Sequence, residues 1–133
     1  GIEIWKFSGR GYLYTEIFKR SDQIYFGTAG LGGYFYILNI NTGNPILKLR
    51  TGGTTVIKQC GDYVYLYTDV GRKKSGLACV NLSDGKILED IELPGAASID
   101  SVLEVYENKA YTITFQYKNN AVEHAVLSCI LLN

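Results

Sequence analysis

Gln23-Ile24-Tyr25-Phe26-Gly27-Thr28, followed by Gly33-Tyr34-Phe35-Tyr36-Ile37-Leu38-Asn39-Ile40 and then Asn41-Thr42-Gly43-Asn44, is the stretch on which the fold turns. Both apolar runs are rich in aromatic and β-branched residues, and both are bounded by turn formers. That pattern predicts strands rather than helix turns. Asn41 to Asn44 predicts a tight turn, with Gly43 free to take positive φ. Residues 46–50 then predict another short strand, stopped by Thr51-Gly52-Gly53.

Working outward, the same grammar returns. Residues 55–60, 63–68, 76–82 and 86–93 predict strands, separated by Gly61-Asp62, a loop over 69–75, and Ser83-Asp84-Gly85, with Pro94-Gly95 as the stop. Asn41-Thr42-Gly43 and Ser83-Asp84-Gly85 stand 42 residues apart. A third unit runs through strands 99–106, 110–117 and 121–132, joined by Glu107-Asn108-Lys109 and Lys118-Asn119-Asn120. Four strands per 42 to 50 residues is the period of a β-propeller blade. In this phase Gly1 takes the place of Gly43. Residues 1–7 are therefore expected as an orphan fourth strand, 15–50 as the first blade, 55–93 as the second, and 99–133 as a third lacking its last strand.

Composition agrees. The 133 residues include 15 Gly, 2 Pro and 11 Tyr, with 47% hydrophobic and 20% charged residues, which suits one all-β globular domain and argues against disorder. Thirteen Lys+Arg balance 13 Asp+Glu, so no bulk positive field recruits nucleic acid or an anionic membrane surface. No apolar run approaches the ~20 residues of a spanning helix. With no Met and Gly1 in first place, the expectation is a processed product or a piece of a longer protein. Three Cys, at 60, 79 and 129, neither close a disulfide framework nor match a zinc spacing.

The repeat resembles that of the PQQ-like β-propeller family. Ile24-Tyr25-Phe26-Gly27-Thr28 with Gly33 through Thr42-Gly43 matches its aliphatic-aromatic-Gly-Thr strand, Gly-led strand and Thr-Gly turn. Val64 to Thr68, with Gly76 through Asp84-Gly85-Lys86-Ile87-Leu88, is similar, and Gly1 through Trp5-Lys6-Phe7 looks like the Trp-bearing strand. The third unit matches in strand rhythm alone. The pattern's Trp is Leu47 in one unit and Glu89 in another, and its Asp near the end of the third strand is Asn39 or Asn81. The resemblance implies an all-β, propeller-type fold of four-stranded antiparallel blades, three per chain. Two copies would then close a six-bladed ring by strand exchange, or the three blades would belong to a larger propeller. It also tilts location toward the cell envelope, against which the unpaired cysteines weigh.

The family's quinone enzymes hold their cofactor between a Trp and adjacent cysteines, with bound calcium and an Asp base. None of these carries over onto residues here, so no cofactor, no metal and no catalytic residue is expected. His124 stands beside Glu123, and strand alternation predicts opposite faces for them, hence a surface or structural histidine. Ser98 and Asp100 share a face but lack a second His for a triad. Cys79 and Cys129 fall at matching third-strand positions and are expected as buried free thiols. Gly30-Leu31-Gly32-Gly33 leads into a strand, so it reads as a hairpin turn rather than a phosphate loop.

Charge divides by loop. One loop face is expected to carry Arg10, Arg72, Lys73, Lys74 and Lys118 against Asp69, a balance of +4. The opposite face carries Arg20 and Lys109 against Asp22, Asp62, Asp84 and Glu107, a balance of −2. Tyr12, Tyr14, Tyr34 and Tyr117 add aromatic contact area near the positive side. The expected function is a non-catalytic interaction module that binds a protein or an anionic ligand, with Arg10, Tyr12, Arg72, Lys73, Lys74, Tyr117 and Lys118 as its contact residues. The rival expectations are part of a larger quinoprotein or hydrolase propeller whose catalytic residues lie elsewhere, and a scaffold that binds nothing specific.

Overall fold

A computed structural model describes residues 1–30, 33–52, 56–71, 74–98 and 101–132. Among them there is no helix; the chain forms antiparallel sheets in chain order. In the first sheet, β1 (Tyr12–Leu13) and β2 (Phe18–Arg20) both pair with β3 (Gln23–Ala29), one toward each end. They are followed by β4 (Gly33–Asn39) and β5 (Pro45–Gly52). The second sheet is the meander β6 (Ile57–Cys60), β7 (Tyr63–Gly71), β8 (Lys74–Asn81) and β9 (Ile87–Glu92). The third is β10 (Leu103–Tyr106), β11 (Lys109–Lys118) and β12 (Ala121–Leu131).

The internal repeat is visible atom by atom. Asn39 Oδ1 accepts from the amides of Asn41 (2.9 Å) and Thr42 (3.1 Å), and Asn81 Oδ1 accepts from Ser83 (2.8 Å). The amides of Gly43 and Gly85, both at positive φ, donate at 2.8 Å to the carbonyls of Asn39 and Asn81. These asparagines are therefore turn caps, a role their side chains suit because they mimic a backbone turn. A second bond recurs in all three sheets. The amides of Ile40, Leu82 and Leu132 donate to the carbonyls of Asp22, Asp62 and Asn108 at 2.7, 2.9 and 2.7 Å.

The second sheet is buried on both faces, and its alternation sorts the residues. Val64, Leu66, Val80 and Leu82 pack with Tyr25, Phe35 and Ile37 of the first sheet. Tyr65, Tyr67, Leu77 and Cys79 pack with Leu103, Ala110 and Leu132 of the third. Burial of these side chains at roughly 25 cal/mol per Å² is the main force holding the stack together. Ala96 bridges to Phe115, tying the connection between the second and third sheets to β11.

Several expectations change. Residues 1–7, expected as a strand, form none; the segment lies against the first sheet instead. Trp5 Nε1 donates to the Ile40 carbonyl at 2.8 Å, and its ring lies so close over Gly43 that a Cβ there would come within 2.5 Å. Phe7 meets Tyr36 edge-on at 5.0 Å. A strand without a hydrogen-bonding partner gains little, whereas two aromatic rings laid on a sheet bury apolar area. Ile2 and Ile4 are left 92% and 87% exposed. The loop expected at 69–75 shrinks, because β7 runs on to Gly71 and β8 begins at Lys74. Of the strand expected at 99–106, Leu103–Tyr106 is found; Ser98 and Ser101 are hydrogen-bonded to each other, and residues 99 and 100 lie outside the described ones. Cys79 is buried as expected, but Cys129 is exposed. Ile130 and Leu132 pack toward the second sheet, so alternation turns Cys129 the other way.

Candidate interaction face

Of the loop residues singled out by sequence, Arg10 and Tyr12 lie beside the β3–β4 connection and Tyr117 and Lys118 beside the β11–β12 turn. At the first sheet, Gly11 and Gly30 take φ of +80° and +97°. A Cβ on Gly11 would run into the Ala29 carbonyl, and one on Gly30 would meet the Tyr12 ring at 2.9 Å. These two glycines let β1 close against β3, pairing Tyr12 with Ala29 and Leu13 with Thr28. Gly33 N donates to the Gly30 carbonyl at 3.2 Å and opens β4; Leu31 and Gly32 of the glycine run expected as a hairpin turn lie outside the described residues. Tyr12 and Leu13 stay 58% and 55% exposed, and the Tyr12 and Tyr14 rings meet edge-on at 6.4 Å. The Arg10 backbone is pinned by its amide donating to the Tyr36 hydroxyl at 3.1 Å, while its side chain is exposed.

At the third sheet, Asn119 and Asn120 take φ of 52° and 62°, the two positive values of a tight two-residue hairpin turn. Lys118 and Tyr117 sit just before it, both exposed. Among the described residues neither Arg10 nor Lys118 has an ion pair. At the second sheet, however, Lys74 Nζ is 2.8 Å from Glu92 Oε1, and Asp69 Oδ2 is 3.4 Å from Arg50 Nε. Glu92 ends β9, the strand paired with the one Lys74 opens, whereas Arg50 reaches Asp69 from the neighbouring sheet, a contact no local pattern signals. Arg72 and Lys73 lie outside the described residues. Tyr34 is committed elsewhere, with Lys48 Nζ 4.4 Å above its ring. At the opposite end, Arg20 is hydrogen-bonded to Asp62, offsetting charge there in the same way.

A recess of about 270 Å³ is lined by Tyr63, Tyr65, Cys79, Leu88 and Glu89. Burial pushes the Tyr65 hydroxyl up to about 12 and, with the hydrogen bond to Cys79, keeps it protonated. Burial likewise raises the Cys79 thiol, which disfavours the thiolate a nucleophile requires. His124 Nε2 comes within 3.9 Å of Glu123 Oε1, contrary to the opposite faces expected of strand neighbours. The register steps from Gln116 opposite His124 to Tyr117 opposite Val122, so Glu123 is a bulge residue and the alternation slips there. Both side chains are exposed, so the contact is a screened surface pair. Among the described residues no group of three or more His, Cys, Asp or Glu is placed to hold a metal ion, and no helix is long and apolar enough to cross a membrane. No protein-family model matches the chain, and no curated protein matches it in sequence.

Proposed function

We propose that the three sheets are propeller-type blades similar to the PQQ-like repeat and that the chain is a non-catalytic interaction module. Its contact surface is the loop end bearing Arg10, Tyr12, Tyr14, Tyr117 and Lys118, and it takes an acidic protein segment. The observation that carries this reading is the Tyr12-Leu13-Tyr14 run, held on a short paired strand yet largely exposed, beside a guanidinium with no ion pair among the described residues. Tyrosine anchors ordered in advance lose little entropy on binding, and Arg beside them supplies charge-assisted hydrogen bonds. The recurrent turn caps at Asn39 and Asn81 support the blade reading.

The test is fluorescence anisotropy with a labelled poly-glutamate peptide at low and at physiological salt. Binding that weakens with salt, and falls roughly tenfold in Tyr12→Ala or in the pair Arg10→Glu with Lys118→Glu, is the expected result. Equal binding by wild type and both variants, or none by the wild type, would sink the reading.

A further inference from the structure

The third sheet repeats a contact that the first two have already used. Tyr25 stands opposite Ile37, Tyr65 opposite Cys79, and Tyr111 opposite Cys129, at the same cross-strand position of each sheet. The first two pairs are buried against the next sheet in the stack. The third is open: Tyr106, Tyr111, Leu127 and Leu131 are all exposed, Leu127 at 70%. At the other end of the stack, on the outer face of the first sheet, Phe7 of the N-terminal segment lies against Phe26 and Tyr36. Among the described residues, moreover, the third sheet has three strands where the second has four, so the outer edge of β12 is unpaired. The 270 Å³ recess of Tyr63, Tyr65, Cys79 and Glu89 opens beside that edge, because Cys79 packs in one cluster with Ile130 and Leu132.

We propose that the occupant is a second copy of this chain, whose residues 1–7 pair with β12 as a fourth strand while its first sheet covers the Tyr111 face. The reasoning does not rest on the loop-end reading above. It extends an interface the chain already makes twice, from the first sheet to the second and from the second to the third. The register follows from the repeat. In the second sheet Cys79 stands opposite Glu89 and Leu77 opposite Ile91. Carried over with Gly85 on Gly1 and Leu82 on Leu132, this sets Trp5 opposite Cys129 and Phe7 opposite Leu127, on the open apolar face. Ile2, Ile4 and Lys6 then point the other way, toward the recess. The two most exposed isoleucines enter a recess that offers them the Tyr63 and Tyr65 rings and Leu88, and the Lys6 ammonium approaches Glu89. The Trp5 and Phe7 contacts of the single chain are thereby exchanged, since the face they leave is covered by the partner's third sheet. Because each copy offers both ends, the head-to-tail contact forms twice and closes.

Two measurements decide it on the full chain. Light scattering across a dilution series is expected to show a species at twice 14.8 kDa. Leu127→Lys, whose site is already exposed in the single chain and so spares folding, is expected to raise the dissociation constant by roughly tenfold or more. In a Cys60→Ala, Cys79→Ala background, Trp5→Cys is expected to give a disulfide-linked dimer through Cys129 under mild oxidation, lost when Cys129→Ser is added. A wild-type monomer at every concentration overturns the proposal. So does a dimer that ignores Leu127→Lys, or one in which Trp5→Cys forms no cross-link to Cys129.

Discussion

Tyr65 illustrates what a single position reveals and conceals. Its place in a strand was legible from 63–68. Its bond to Cys79 was not, because the register that sets Tyr65 opposite Cys79 says nothing of whether the hydroxyl and the thiol meet across the strands. Burial, aided by that bond, raises the hydroxyl from its usual 10.0 to about 12. A folded-state value above the unfolded one means stability that is intact below pH 10 and lost as pH rises from 10 toward 12. Tyr65→Phe removes this titration. The expected outcome is a smaller drop in urea midpoint for the variant than for the wild type between about pH 9 and about pH 11. Cys129 is the contrary case: its repeat phase matched Cys79, yet burial depends on whether another sheet follows, which no local pattern encodes.

Among the elements, hairpins were the most readable and their strain the least. The first residue of the β2–β3, β6–β7 and β10–β11 turns takes positive φ: Ser21 at 52°, Gly61 at 61° and Glu107 at 49°. Glycine occupies this position once, while Ser21 and Glu107 hold a conformation that disfavours a Cβ. Ser21→Gly and Glu107→Gly are each expected to stabilise by about 0.5–1 kcal/mol, read as a higher denaturation midpoint at unchanged slope. A loss of stability in both would mean that the side chains offset the strain. Residues 1–7 show the limit of element-level reading. Their alternating pattern is that of a strand, but a strand is a relation between two edges, and in the single chain aromatic packing on the first sheet wins.

For the molecule as a whole, the offset between the turns at 41 and 83 was enough to announce stacked sheets, and three sheets in chain order are found. What the period could not convey is how charge is shared across strand ends, as in the Lys74–Glu92 pair. Nor could it convey that the central sheet has no free face. Leu66 is 1% exposed at the first interface, so Leu66→Ala is expected to cost about 2–5 kcal/mol, measured by chemical denaturation. Because the central sheet joins both neighbours, Trp5 fluorescence and far-ultraviolet circular dichroism are expected to report one coincident transition, and separate midpoints would show that the sheets unfold independently.

The Tyr67 hydroxyl donates to the Val102 carbonyl at 2.5 Å and accepts from the Ile113 amide at 3.1 Å. A side chain of one repeat thus completes the main-chain bonding of the next. The corresponding place in the first sheet is Gly27, which has no hydroxyl to offer. A copy of the first unit inserted ahead of the third would remove that hydroxyl and leave the Ile113 amide and the Val102 carbonyl with only the 3.3 Å bond between them. The units, however alike in rhythm, are therefore not interchangeable at that junction: each is fitted to the neighbour it has.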